Sequence, residues 1–434
     1  MACDTDAPLN VMHDPRPFFG RWVVRAAFTL AMFGWGIGFY GPPVYLHAVI
    51  GRTGWSLAWV SSAVTLHYLF GALVVAQLPR CHARFGVGAT AVAGATIATL
   101  GLLGWALSDR PWQLMAAALL SGGGWVTMGA VAVNAVVAPW FVRTRPAALA
   151  KAYNGASIGG VVFSPLWVAL IAAWGFAHAA LAVGLLTIAL MLWLTKAVFT
   201  ATPERLGQQA DGGATPASSG GAPFVTPPPL VGTRLWRDRR FQTLALGMAI
   251  GLFAQIGLLA HLFALLAPLW GAQQAGWTMG LATACAIGGR TLVAWAMPPG
   301  ANRRTVAAVA YAVQLIGTLL LWRADATQGL LIVTAVVLFG SGIGNATSLP
   351  PSIAQQEFAR DDVARVVALI VAIAQATYAF APAVFGTLLQ ASSGGVARIG
   401  QGAGPFLLTV AGVQVLAIGC FLIGRRHQPA HAPG

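Results

Sequence analysis

WTMGLATACAIGGRTLVAWAM, Trp277 to Met297, is a run of 21 residues that is apolar almost throughout and carries one arginine, Arg290, in its second half. A helix rising about 1.5 Å per residue needs about 20 residues to cross a hydrocarbon core of about 30 Å, so this run is long enough to span a membrane. No acid lies within it or within any other long apolar run of the chain, which leaves Arg290 without a neutralising neighbour in sequence. An ionisable group at membrane depth is expensive and usually marks the path of a solute or ion.

Eleven runs of similar character surround it: Trp22 to Tyr45, Ser56 to Leu78, Val87 to Leu107, Leu114 to Trp140, Ala147 to Trp174, Ala177 to Val198, Phe241 to Leu266, Thr305 to Leu321, Gly329 to Leu349, Val363 to Leu389 and Phe406 to Gly424. Hydrophobic residues make up 57% of the 434 and charged residues 8%, with a mean hydropathy of +0.73. An all-α membrane protein of twelve transmembrane helices is expected.

The formal net charge is +14, but the basic residues fall between apolar runs on alternate sides and form no single stripe, so topology accounts for them better than nucleic acid does. With both termini cytoplasmic, about twenty of the 25 Lys and Arg lie inside, and Arg52, Arg110, Arg323 and Arg398 lie outside. The positive-inside rule then predicts a multi-pass protein of a bacterial-type inner (plasma) membrane. Cys3, Cys81, Cys285 and Cys420 have neither paired nor metal-ligand spacing, so inert thiols are expected, with no metal or cofactor. No cleavable signal precedes Trp22, and the first helix is expected to target the chain to the membrane.

From 202 to 232 the chain turns rich in Gly, Ala, Ser and Pro, the composition of a flexible linker. It separates two expected six-helix halves, 1–201 and 233–434, and the halves repeat. A shift of about 217 lays WFVRTRPAALA from Trp140 over EFARDDVARVV from Glu357, pairing Arg143 with Arg360, Phe163 with Phe380 and Pro165 with Pro382. A shift of about 222 pairs Gly54-Trp55-Ser56 with Gly276-Trp277-Thr278. Parallel six-helix repeats are the architecture of a rocking transporter with its site between the halves.

GWSLAWVSSAVTL from Gly54, Ala138-Pro139-Trp140-Phe141 with Arg143 and Arg145, KAYNGASIGGVVFSPL from Lys151 and the Gly289-Arg290 pair carry a resemblance. Along nearly its whole length the chain resembles a major facilitator superfamily transporter, and within that superfamily the branch of monocarboxylate transporters and oxalate and formate exchangers. The resemblance implies alternating access and an anionic solute. Three departures qualify it. Pro79 and Ala83 stand where the loop between helices two and three usually has a glycine and an aspartate, Ala286 stands where animal monocarboxylate carriers place an aspartate before the helix-eight arginine, and neither helix one nor helix eleven has their lysine. A single fixed positive charge suits a monoanion better than a dianion.

Arg290 lies about 20 Å along its helix from Trp277, near the midplane. Two roles are open to it: a bidentate grip on a solute carboxylate, or snorkelling and carbonyl binding. His67 falls opposite Gly289 in the repeat, and His261 lies nearer the outer mouth; each is a candidate proton carrier, with packing histidine as the alternative. Tyr40, Tyr68, Asn134, Asn154, Ser157, Gln255, Asn345, Gln375 and Tyr378 lie on helices that line a facilitator cavity, where helix-to-helix hydrogen bonding is the competing role. Arg143, Arg145, Arg360, Asp361, Asp362 and Arg365 are candidate inner-gate residues, with plain topology charges as the alternative. Glycines at 122–124, 155 and 159 permit close helix contact, and prolines at 42, 43, 165, 350, 351 and 382 interrupt helices.

No paired acids, no nucleophile with its base and no ligand cluster lie at membrane depth, which argues against an enzyme. The function expected is secondary active transport of a small organic solute, monocarboxylate-like, with coupled protons. The alternative is a drug or neutral-solute exporter of the same fold. The expected partners are that solute, protons and the bilayer, with no nucleic acid, and the chain is expected to act as a monomer.

Overall fold

The computed structural model describes residues 17–213, 234–298, 300–393 and 403–425. Sixteen α-helices are ordered along the described chain, and no strand occurs among the described residues. The first set is α1 Gly20–Gly38, α2 Pro42–Thr53, α3 Leu57–Val75, α4 Leu78–Phe85, α5 Val87–Leu107, α6 Pro111–Trp125, α7 Ala130–Val137 and α8 Arg145–Leu194. The second is α9 Arg234–Arg237, α10 Arg239–Trp270, α11 Ala272–Ala296, α12 Arg303–Arg323, α13 Gly329–Glu357, α14 Arg360–Tyr378, α15 Ala381–Ser393 and α16 Gly404–Ile423. Eleven continuous stretches are long and apolar enough to cross a membrane, and one of them, Ala147–Phe199, holds 53 residues. That stretch turns at Gly175, whose φ of 76° and ψ of 161° leave the helical region, so it crosses twice and the spans number twelve.

Three spans are built from two helices; proline explains two of the joints, and the third, between α6 and α7, passes through Gly129. Pro42 and Pro43 have no N–H to give to the carbonyls four residues back, Gly38 and Phe39, so α1 ends there and α2 begins. The α14–α15 span is jointed in the same way, with Pro382 in the first turn of α15.

One end of the bundle carries the start of α1, the amphipathic helix α4, the Arg143–Arg145 turn and the starts of α10, α12 and α14; we call it the basic face. Residues 202–213, the described part of the expected linker, pack on it. Gln208 Oε1 accepts from the Phe19 amide at 3.0 Å, and Asp211 accepts from the amides of Val142, Arg143 and Thr144 and from the Thr144 hydroxyl. The Thr144 hydroxyl and then the Arg143 amide hold the Asp211 carboxyl down at about 2. A carboxyl depressed below its ordinary value of about 3.9 stabilises the fold above that value and loses its contribution only as pH falls through about 2. Asp211 sits at φ 56°, a conformation asparagine also tolerates. We expect Asp211→Asn to keep the backbone but release the segment, read as several-fold faster tryptic cleavage at Arg205, with wild type unaffected by mild acid. The rest of the expected linker, 214–232, lies outside the described residues.

The two sets of six spans meet along α3–α15, α8–α11 and α2–α10. Between mid-depth and the end opposite the basic face, the far face, each helix of the α3–α15 pair caps the other. The Ala58 amide in the first turn of α3 donates to Gln390 Oε1 at 2.8 Å, and the Ala383 amide in the first turn of α15 donates to Thr65 Oγ1 at 3.0 Å. Both amides belong to the helix-start donors that have no partner within their own helix. In the α8–α11 pair, a Cβ on Gly280 would stand 3.0 Å from the Val161 carbonyl, which Pro165 leaves free. His47 packs edge-on against Phe263 at 5.0 Å in the α2–α10 pair. Thr65→Val leaves the part-buried Ala383 amide without its acceptor, at a cost of about 1 kcal/mol. The expected result is a shift towards far-face opening, measured as faster maleimide labelling of a cysteine at Gln390 in the valine variant than in the threonine parent.

Candidate functional site

At mid-depth the break between α1 and α2 organises the first wall. The two carbonyls freed by Pro42 and Pro43 are taken by side chains of α3: His67 Nε2 lies 2.9 Å from Gly38 O and the Tyr68 hydroxyl donates to Phe39 O at 3.3 Å. A carbonyl only accepts, so the hydrogen on His67 is assigned to Nε2. Its Nδ1 accepts from Ser121 Oγ at 2.8 Å, which in turn accepts from Trp105 Nε1 at 3.0 Å, and its ring stacks on Trp125 at 5.9 Å. His67 is thus fully partnered, and every partner belongs to the first six spans.

Arg290 faces this wall from α11. Gly289 beside it lets α11 approach α13, because a Cβ there would overlap the Ser341 carbonyl oxygen. That approach brings Arg290 Nε within 3.2 Å of Gly344 O. The two terminal guanidinium nitrogens have no hydrogen-bond partner among the described residues, and Tyr40 lies close enough to interact electrostatically. Tyr40 also contacts Thr283 of α11 and packs edge-on against Phe39 at 5.0 Å. Tyr68 lies 6.0 Å from Phe39 and 6.1 Å from Tyr378 of α14, measured between ring centroids. One arginine, three tyrosines and Phe39 therefore meet between the two sets of spans. Such a site can pair a carboxylate with the guanidinium fork and cover an apolar body with aromatic faces.

The other expected residues lie elsewhere. Asn134 and Asn154 are exposed, and Asn134 Nδ2 donates to the Tyr153 hydroxyl at 2.5 Å. Gln255 is buried and accepts from Gln314 Nε2 at 3.1 Å within the second six spans. Asn345 is buried and donates to Ser341 O at 3.3 Å on its own helix. Ser157 is buried and Gln375 half-buried. His261 is fully buried beside α15, with Nε2 at 3.0 Å from Pro382 O.

On the basic face, Arg145 gives its guanidinium to Phe141 O and Ala138 O at 2.8 and 3.0 Å, closing the end of α7. Arg143 offers its amide to Asp211. Asp362 is buried and Arg365 exposed, and both sit in the first turns of α14. Arg360 and Asp361 open that helix, and their side chains lie outside those described.

Arg304, which the apolar runs place in a loop, is in the first turn of α12 and 1% exposed. It binds Glu357 with both Nε, at 2.6 Å, and Nη2, at 2.8 Å, and reaches Thr243 Oγ1 and Arg240 O as well. Thr283, Phe39 and the Arg304–Glu357 pair are absent from the sequence reading. Thr283 gives no signal in sequence; Phe39 has one, as its carbonyl is freed four residues before Pro43.

The family model for the Major Facilitator Superfamily matches residues 23–382. No curated protein matches the sequence. Among solved structures, the nucleoside transporter NupG aligns with a TM-score of 0.71 at 13% identity, covering 94% of this chain and all of that one. A bacterial homologue of the human lysosomal transporter Spinster, in an inward-facing and occupied conformation, aligns with a TM-score of 0.67 at 15% identity, covering 94% and 97%. Identities this low speak for the fold alone. Together with a family match over most of its length, the all-α architecture means that this chain belongs to the major facilitator superfamily and is a multi-pass membrane transporter, not an enzyme.

Proposed function

We propose that the protein carries a small organic monoanion with an apolar body, bound at Arg290 and enclosed by Tyr40, Tyr68 and Tyr378. The observation that carries this reading is the guanidinium itself: half-buried between the two sets of spans, held at Nε and unpartnered at both terminal nitrogens among the described residues. A charge kept at such a position without an acid is matched by a solute of opposite charge. The basic face is cytoplasmic by the positive-inside rule, in a bacterial-type plasma membrane, with both termini inside. The contacts of α3–α15 and α2–α10 close the far, outer side, so the state described is the one open inward. Residues 1–201 and 233–434 are the two halves that rock about Arg290 in alternating access.

Transport responds to pH through a histidine whose surroundings change between states, since only differential interaction couples a ligand to a conformational change. His67 is enclosed by the first half, whereas His261 packs on α15, the helix that meets α3 of the other half, so we assign the response to His261. At the inner gate, Asp362 and Arg365 of α14 approach the Arg143–Arg145 turn when the inner side closes.

The aromatic wall favours a second reading, a neutral ring-bearing solute exported through the same site. A thermal-stability screen of the purified protein against monocarboxylates, dicarboxylates, organic cations and nucleosides separates the two. A ligand at about 100 times its dissociation constant adds about 2.7 kcal/mol. We expect stabilisation by monocarboxylates with an apolar body. Stabilisation by neutral or cationic compounds alone overturns the anion reading.

A further inference from the structure

Two buried polar atoms at the outer gate have no hydrogen-bond partner among the described residues: Ser61 Oγ on α3 and His261 Nδ1 on α10. Both residues are 0% exposed. They flank Gly386 of α15, where a Cβ would overlap Ser61 Oγ and stand 3.4 Å from His261 Cε1, the ring carbon between the two nitrogens. His261 Nε2 faces Pro382 O, which only accepts, so Nε2 bears the hydrogen and Nδ1 of the neutral ring is a bare lone pair. Phe406 of α16 closes over the ring edge-on at 5.9 Å.

The two atoms therefore lie at the α3–α15 joint, between the two mutual caps Ala58–Gln390 and Ala383–Thr65. Of the elements packed on α10, α15 has no titratable side chain and α16 has only Cys420, far along the helix. His47, Tyr45 and Arg52 lie on α2, Cys285 and Arg290 on α11, and Tyr378 ends α14. On the α3 side His67 and Tyr68 are directed to the α1 carbonyls. The acids of α13 and α14, Glu357, Asp361 and Asp362, are at the basic face, so no carboxylate among the described residues meets this histidine.

We propose that His261 is a proton-binding site built into the outer gate, covered by α3 at Ser61 when the gate is shut, occupied when the gate is open and emptied before it shuts. With α3 withdrawn, a proton from outer water adds to the Nδ1 lone pair and the imidazolium is hydrated. When α3 returns, the cation would be enclosed with only neutral partners, an unfavourable burial of charge. The proton therefore leaves to the outer water as the gate closes, and by linkage outer acid holds the gate open. This rests on the orientation assigned above but not on the identity of the solute.

The test uses the full-length protein in nanodiscs, with its cysteines replaced by serine and spin labels at Trp59→Cys on α3 and Ala391→Cys on α15, no solute being added. Lowering the pH from about 8 to about 5, the span over which imidazole titrates, is expected to convert a short inter-label distance into a longer one. For each tenfold difference in proton affinity between the two states, the open-to-closed ratio rises up to tenfold. His261→Gln, whose amide still donates to Pro382 O, is expected to stay closed throughout. Gly386→Ala, which crowds Ser61, marks the open distance at any pH. A parent that does not respond to pH, or a response that survives in His261→Gln, overturns the proposal. Because no solute is present, failure of the Arg290 reading leaves this result unchanged.

Discussion

Arg290→Gln is expected to abolish solute binding and uptake in proteoliposomes, while Arg290→Lys retains binding weakened by about tenfold or more. A hydrogen bond to a charged group contributes about 1.5–3 kcal/mol, and a carboxylate gripped by both terminal nitrogens has two of them. Lysine keeps the charge but offers a point donor on a flexible stem, so at least one of those bonds is lost. Glutamine loses the charge and leaves the carboxylate to be desolvated against neutral groups. Binding measured by the solute's effect on melting temperature separates affinity from transport, and both variants keep the Gly289 contact that seats α11 on α13. Wild-type uptake by the glutamine variant would falsify the anion reading and return Arg290 to the role of a carbonyl-bound helix fastener, which its bond to Gly344 already shows in part.

The spans were legible because hydrophobic length and proline placement act locally: twelve apolar runs become twelve crossings, and Pro42-Pro43 ends α1 where the missing amides require. Arg290, Tyr40, Tyr68 and Tyr378 were legible as candidates because polar or aromatic groups at mid-depth are few. What the sequence could not supply is partner choice. Gln255 turns to Gln314 within its own set of spans, and Asn345 to its own helix, because a span has faces that residue type does not reveal. The branch resemblance has no support beyond the superfamily, since the features that define a branch are single side chains in the cavity. The charges of the basic face were read as topology signals or as gate residues, yet they divide differently. Arg145 closes a helix end, whereas Arg304 is buried in a polar network. Burial follows from which helices converge, and no local pattern encodes that.

The Arg304–Glu357 pair carries the second large effect: Arg304→Gln is expected to lower stability by about 3–5 kcal/mol, on the order of 10 °C in melting temperature. The guanidinium joins the first turns of α10 and α12 to the last turn of α13 through Glu357, Thr243 Oγ1 at 3.0 Å and Arg240 O at 2.7 Å. Its removal leaves a largely buried carboxylate and two further acceptors without their donor. Arg240 does not replace it, because its own guanidinium is committed to Asp238 and to Glu357 O. The repeat shows what the first six spans do instead. The shift of 222 lays His82 on Arg304, and the shift of 217 lays Trp140 on Glu357. There the ion pair gives way to Trp140 packed against Phe18 and Phe19, at 6.2 and 5.3 Å between centroids, with Asp211 as the acid. The double replacement Arg304→Met with Glu357→Leu, which removes both charges at once, should therefore recover most of the lost stability. Solute affinity at Arg290 should stay the same in both variants. Equal melting temperatures for Arg304→Gln and wild type would mean that the network closes only in another state of the transport cycle.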